Sequence, residues 1–430
     1  MSRIRAKTVL LLSTALLSCG CVVDKERTQA LRDERDAAPP ALPSNPVASP
    51  VIRGTTASRV AVAVESLGTV AYDGLSVPMA SPDGRFIAAQ ETPAPPREQR
   101  LAIEVPRAST TSMNATVSIT PLTPGVGGVR PSLEVFDLQA PILLGRDTGV
   151  EGVLVESPRS DGSRWIGVAQ WPTDGVGGDA RVRWIVRDRN VAAHAVFADA
   201  GALLYCRRAI GEDRFELVWQ ARDGERRTLA MPDASLVYPL MAPDLRHATC
   251  LAVDDDGAIA LLLIDLSTGG NGSIGRVVRR FDLTSSGGME GASQIVAASQ
   301  SAVHGLSQSD ALSESGPAPT EPLLGPIFFH PGMDRCAAID VSRRTLVALA
   351  PKSVAAVDAG DGRALCSTPD GLVLWTPGPQ AGRGTATRVL SEDYIPRRTA
   401  NPARSFVLLA PMRRSPTDLM VFGMSPAAPQ

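Results

Sequence analysis

The sequence predicts an all-β fold, a β-propeller of six or seven four-stranded blades, preceded by a signal peptide and a disordered tether. Three observations carry this reading. A turn, Ser81-Pro82-Asp83-Gly84, runs into the strand-like Arg85-Phe86-Ile87-Ala88 and returns in worn copies down the chain. The copies stand about forty residues apart, the length of one blade. Apolar runs bounded by Gly, Asp and Ser alternate with these turns, and no long amphipathic helical stretch follows the N-terminal segment.

The chain opens on an export signal. Arg3, Arg5 and Lys7 form a basic start, and Thr8 to Leu17 is apolar. That run is too short for a bilayer span, which needs about twenty residues, and it suits a signal peptide over residues 1–18. Leu16-Leu17-Ser18-Cys19 resembles a bacterial lipobox, with Leu three residues before a Cys and a small residue directly before it. The resemblance implies lipidation of Cys19, which becomes the mature N-terminus. Cys21, preceded by Gly20, is the alternative. The expected location is therefore exported and membrane-anchored, on the periplasmic or cell-surface side. Residues 19–57 then read as a tether. Asp24-Lys25-Glu26-Arg27 and Asp33-Glu34-Arg35-Asp36 are charged, and Ala38 to Pro46 is dense in Pro and Ala. Such composition buries no core. A short helix over Arg27 to Arg35 is the alternative for its first part.

The propeller is expected over residues 58–424. In the first copy Pro82 presets φ, and Asp83 and Gly84 supply turn chemistry. Thr368-Pro369-Asp370-Gly371 runs into Leu372-Val373-Leu374-Trp375, and Ala242-Pro243-Asp244-Leu245 into Arg246 to Cys250. Ala198-Asp199-Ala200-Gly201 precedes Leu203 to Cys206. Ser157-Pro158-Arg159-Ser160-Asp161-Gly162 carries extra residues before Trp165 to Val168. His330-Pro331-Gly332 and Asn401-Pro402-Ala403 are weaker copies, the last leading into Phe406 to Leu409. A single copy is an ordinary hairpin turn; seven in series mark an architecture, against which a pair of β-sandwiches is the runner-up. Each turn is read as the same hinge of its blade. The steps from Ser81 to Ser157 and from Ala242 to His330 are close to double length. Polar stretches near 108–131 and 287–322 fill them and read as inserts, with a degenerate extra blade as the alternative in the second. Residues 425–430 are a tail.

The string from Ser81 to Ala88 resembles the repeat of TolB-type propellers, a WD-repeat-like family. The run Leu263-Ile264-Asp265-Leu266-Ser267-Thr268-Gly269 is similar to the strand and turn that follow in such blades. The resemblance implies a closed ring of blades around a central channel, with ligands or proteins docking at a face or at the channel mouth. It implies nothing about activity.

Composition and motifs narrow the chemistry. The net charge of −2 gives no bulk attraction to nucleic acid, and none is expected as a partner. Arg is scattered and matched by acids. Cys206, Cys250, Cys336 and Cys366 lack metal-site spacing and read as buried thiols. His194, His247, His304 and His330 show no local metal motif. His247 stands where Phe86 stands in the first copy. Asp254-Asp255-Asp256-Gly257 lacks the alternation of an EF-hand and reads as a hairpin turn. Asn271-Gly272-Ser273-Ile274-Gly275 lacks the first Gly of a nucleophile elbow. Trp165, Trp171, Trp184, Trp219 and Trp375 are read as packing between blades, with an aromatic cage as the alternative. No catalytic residue, metal site or cofactor is expected. The expected role is an envelope-anchored scaffold that binds a protein or polymer at a propeller face. The alternative is a lactonase-like or lyase-like propeller enzyme with a metal or polar site in the channel.

Overall fold

The structure, a computed structural model, describes residues 62–72, 78–91, 116–125, 133–135, 142–172, 181–198, 201–269, 272–286, 292, 295, 324–378, 383–401, 405–412 and 415–426. Cys19, Cys21 and the expected tether lie outside them. Residues 49–430 form one compact unit.

The described residues of that unit form a propeller of seven blades. β1 (Val62–Ala71) opens it. Blade 1 holds β2 (Met79–Ala80), β3 (Phe86–Glu91), β4 (Thr116–Pro121) and β5 (Leu133–Val135). Blade 2 holds β6 (Leu143–Thr148), β7 (Gly152–Pro158), β8 (Arg164–Gln170) and β9 (Val182–Val186). Blade 3 holds β10 (Asn190–Phe197), β11 (Leu203–Ala209), β12 (Glu216–Gln220) and β13 (Arg226–Leu229). Blade 4 holds β14 (Ala234–Met241), β15 (His247–Asp254), β16 (Ala258–Asp265) and β17 (Arg276–Ser286). Blade 5 shows three strands among the described residues, β18 (Leu324–His330), β19 (Arg335–Asp340) and β20 (Thr345–Ala348). Blade 6 holds β21 (Ala355–Gly360), β22 (Arg363–Thr368), β23 (Gly371–Pro377) and β24 (Gly384–Leu390). Blade 7 is built from both ends of the unit: β25 (Ile395–Arg398), β26 (Phe406–Met412) and β27 (Ser415–Pro426), with β1 as its outer strand. Blades 2 and 3 are joined in one sheet by a single parallel bridge, Val191 to Arg164.

The inner strands β2, β6, β10, β14, β18, β21 and β25 touch in that order, and β25 touches β2. The ring therefore closes. Its core is divided into seams between neighbouring blades. On β16, Leu262 and Ile264 face the seam with blade 3, and Leu261 and Leu263 face the seam with blade 5. On β11, Leu203 and Tyr205 face blade 2, and Leu204 and Cys206 face blade 4. Period-two alternation places both sets in a core, so the strands read as unbroken apolar runs.

Three sequence expectations change. Thr116–Pro121, inside the expected insert 108–131, is a regular strand with Val117 and Ile119 fully buried. Its Thr and Ser are strand residues facing their neighbours, which polar composition alone disguises. The second double-length step comes from the segment between β17 and β18, and the described residues form seven blades. The expected insert 287–322 lies outside the described residues except for Ala292 and Ile295, which are helical and fully buried between blades 4 and 5. β27 runs through Ser425 and Pro426, two residues into the expected tail.

Candidate functional site

Four consecutive inner strands carry an irregularity at the same level. On β10, His194 and Ala195 together oppose Tyr205 of β11. On β14, Tyr238 and Pro239 oppose Cys250. On β18, Gly325 and Pro326 oppose Ile339. On β6 the ladder shifts between Leu144 and Thr148, releasing Gly145, Arg146 and Asp147. These are β-bulges, which bend a strand and re-aim the side chain that is left unpaired. His194 and Tyr238 sit in the left-handed region, with φ of 57° and 51°. Pro239 and Pro326 donate no backbone hydrogen bond, so a bulge suits them.

The re-aimed side chains of blades 2, 3 and 4 meet. The Arg146 guanidinium lies 4.9 Å from the centroid of the Tyr238 ring. The Tyr238 and His194 rings are 3.9 Å apart. The column continues to Phe215, 6.2 Å from His194, and ends at Arg208, 5.3 Å from the Phe215 ring. Blades 2 and 4 are not neighbours, so the contact between Arg146 and Tyr238 forms where inner strands converge, at the channel. Arg146, His194 and Tyr238 are all half-buried.

Two acids hold this arrangement. Glu156 Oε1 accepts the backbone N–H of His194 at 2.7 Å, and its Oε2 accepts Arg164 Nη1 at 3.0 Å. Asp147 accepts the N–H groups of Phe197 at 2.7 Å and of Thr148 at 3.0 Å. Each carboxylate thus serves backbone donors of the inner strands, Glu156 the bulged His194 and Asp147 the residues Phe197 and Thr148. Burial pushes the Asp147 carboxyl well above the usual range despite these bonds. Burial likewise pushes the His194 imidazole down to about 4; Glu156 opposes that shift, and Arg146 and Arg164 reinforce it. His194 is therefore neutral near pH 7, with one ring N–H to donate. Burial also lowers the Arg146 pKa. Its Nη1 is buried with no hydrogen-bond partner among the described residues.

The turn residues occupy two kinds of hinge. Pro82-Asp83-Gly84, Gly201, Pro243-Asp244 and Pro331 connect the first and second strands of blades 1, 3, 4 and 5. Pro402 lies outside the described residues. Asp161-Gly162 and Pro369-Asp370-Gly371 instead connect the second and third strands of blades 2 and 6. The expectation of one common hinge fails for these two, because Asp-Gly chemistry closes any tight antiparallel hairpin. The Asp plays the same part in both kinds. Asp83, Asp161 and Asp244 each accept the N–H two residues on, at 3.0, 2.9 and 3.0 Å.

Other candidates disperse. Asp254 pairs with Arg280, Asp255 with Arg214, and Asp256 accepts from the Ala258 N–H. His247 Nδ1 lies 2.7 Å from Asp244 Oδ2, which explains how it replaces an apolar residue. The four cysteines stand on the second strands of blades 3 to 6, free and buried, and burial pushes Cys250, Cys336 and Cys366 up to about 12. Trp165 is covered by Arg159 at 3.8 Å and approached by Arg187 at 5.0 Å; Trp375 is buried. Among the described residues, no group of three or more His, Cys, Asp or Glu is placed to share a metal. His304 lies outside them.

No family model matches the chain, and no curated protein matches it. Among solved structures it is similar to the WD40 domain of Toxoplasma gondii coronin, with 12% identity and a TM-score of 0.45 over 85% of this chain and 88% of that one. It is also similar to a putative TolB from Agrobacterium tumefaciens, with 12% identity and a TM-score of 0.32 over 47% of this chain and 64% of that one. Prolyl oligopeptidase B from Galerina marginata shows 15% identity and a TM-score of 0.35, over 48% of this chain and 27% of that one. The chain thus spans under two thirds of the TolB structure and about a quarter of the oligopeptidase. TolB and WD40 propellers are among its structural neighbours. At these scores the likenesses carry no weight of their own, and the propeller assignment rests on the strand order and the closed ring of inner strands.

Sequence patterns alone pass over the bulge residues. Two signals mark them: Pro239 and Pro326 each interrupt an apolar strand run, where a proline argues for a bulge. Nothing local marks Arg146, because its role depends on two other blades.

Proposed function

We propose that this chain is an exported propeller, lipid-anchored through Cys19, that binds a protein or envelope polymer at the channel mouth beside blades 2 to 4. The column from Arg146 to Arg208 carries the reading. Its acids are already committed to backbone N–H groups and to Arg164, so the chemistry left facing outward is guanidinium, phenol and neutral imidazole. Such a set holds and orients a ligand. Anchoring follows from the Leu16 to Cys19 string alone. Two measurements test the reading. Mass spectrometry of the mature N-terminus is expected to find a lipidated cysteine; a retained Met1 would overturn the anchor. Affinity capture from membranes, comparing the intact protein with the Arg146→Gln and Tyr238→Ala variants, is expected to recover a partner that the variants lose. Equal recovery with all three would move the binding face elsewhere.

A further inference from the structure

We infer that the Arg146–Tyr238–His194 cluster is a binding site for a carboxylate, one monoanionic group carried by the ligand. The inference rests on the reading of this face as a binding face and names the chemistry it takes.

Charge and donor count lead there. Arg146 and Arg164 bring two positive charges, and Glu156 removes one through its bond to Arg164. Asp147, on the neighbouring position of β6, accepts the N–H groups of Phe197 and Thr148. The local sum leaves room for one negative charge. The available groups are also mostly donors. Arg146 Nη1 is buried and lacks a hydrogen-bond partner among the described residues. A buried guanidinium N–H without an acceptor is costly, and a charged acceptor is the group that relieves it best. Two further donor-bearing rings are near: Arg146 lies 4.9 Å from the Tyr238 ring centroid, and the Tyr238 and His194 rings are 3.9 Å apart. A guanidinium is planar and can meet a carboxylate at two points. A dianion is disfavoured, because Glu156 sits within the same cluster and repels a second charge.

The test uses the full-length protein with 15N-labelled arginine, and acetate and inorganic phosphate as probes. The Arg146 Nε–H signal is assigned by its loss in Arg146→Gln. At constant ionic strength and pH 7, acetate is expected to shift that signal saturably while chloride does not. Tyr238→Phe keeps the ring and removes the hydroxyl; it is expected to weaken acetate binding several-fold with an unchanged melting temperature. Arg85→Gln, at an exposed turn of blade 1 outside the cluster, is expected to bind acetate normally. The inference is overturned if acetate leaves the Arg146 signal unmoved, if chloride moves it equally, or if phosphate saturates it at lower concentration. Partner capture separates the two readings. Capture that persists without any acetate response sinks the carboxylate site and leaves the scaffold reading standing. An acetate response with capture indifferent to Arg146→Gln does the reverse.

Discussion

His194 shows how one residue's surroundings set its chemistry. Its imidazole is held down to about 4 by burial, with Arg146 and Arg164 adding to the effect. The unfolded chain takes up a proton on this ring below about pH 6.5, and the folded chain does not until about pH 4. Stability therefore rises with pH across that window and is lost as pH falls through it. Allowing for partial exposure, the loss is about 2 kcal/mol. A ring-proton titration is expected to show neutral His194 down to pH 5, and His194→Asn is expected to flatten the acid limb of the stability curve; a midpoint near 6.5 would contradict this. His247 has the opposite sign. Its bond to Asp244 raises its pKa, so its contribution is full below about 6.5 and fades as pH rises through the folded value. Two histidines thus tilt stability in opposite directions, and no composition count distinguishes them.

At the scale of the element, the bulged inner strands decide what the propeller presents. The innermost strand β10 presents backbone donors to blade 2, and acids there accept them, Glu156 from the bulged His194 and Asp147 from Phe197. Asp147→Ala removes the acceptor for Phe197 while leaving the β10 bulge in place. It is expected to cost about 1–3 kcal/mol, read by thermal or urea unfolding, and to raise hydrogen exchange at Phe197 and Thr148. A loss below a few tenths would mean that water replaces the carboxylate. Asp147→Asn, which keeps one acceptor, is expected to recover part of the loss. The turns teach a related lesson. Ser81 to Gly84 and Thr368 to Gly371 look alike in sequence, yet one closes the first hairpin of its blade and the other the second. Turn chemistry specifies a tight reversal and leaves the identity of the strands open, because every hairpin in a meander needs the same reversal.

At the scale of the molecule, β1, the first described strand, completes the last blade and closes the ring. It pairs with β27 from Val62–Pro426 to Ala71–Asp418, with one irregularity at Ser66. Leu67 and Val70 then fill the seam between blades 7 and 1. That seam has further ties. Arg397, fully buried, donates to the Pro78 carbonyl at 3.1 Å, and Asn401 Nδ2 donates to the Asp83 carbonyl at 3.0 Å. Leu67→Ala is expected to cost about 2–5 kcal/mol through the cavity left behind. The change is expected to speed hydrogen exchange first in β1, β26 and β27; uniform acceleration in all seven blades would show that closure has no separate stability.

The sequence by itself determined the all-β class, the repeat length and the presence of seven turn copies, because turn residues and apolar runs are local signals. It also carried the lipobox-like string at Cys19, which stands outside the described residues. Only the tertiary structure decided that Thr116–Pro121 is a strand, that Ser157 and Thr368 belong to second hairpins, and that β1 completes blade 7. It alone brought Arg146, Tyr238 and His194 together. Those residues are about forty to ninety positions apart, and a propeller sums small rotations from blade to blade before its inner strands meet. The local pattern fixes each blade, while the contents of the channel depend on how all of them close.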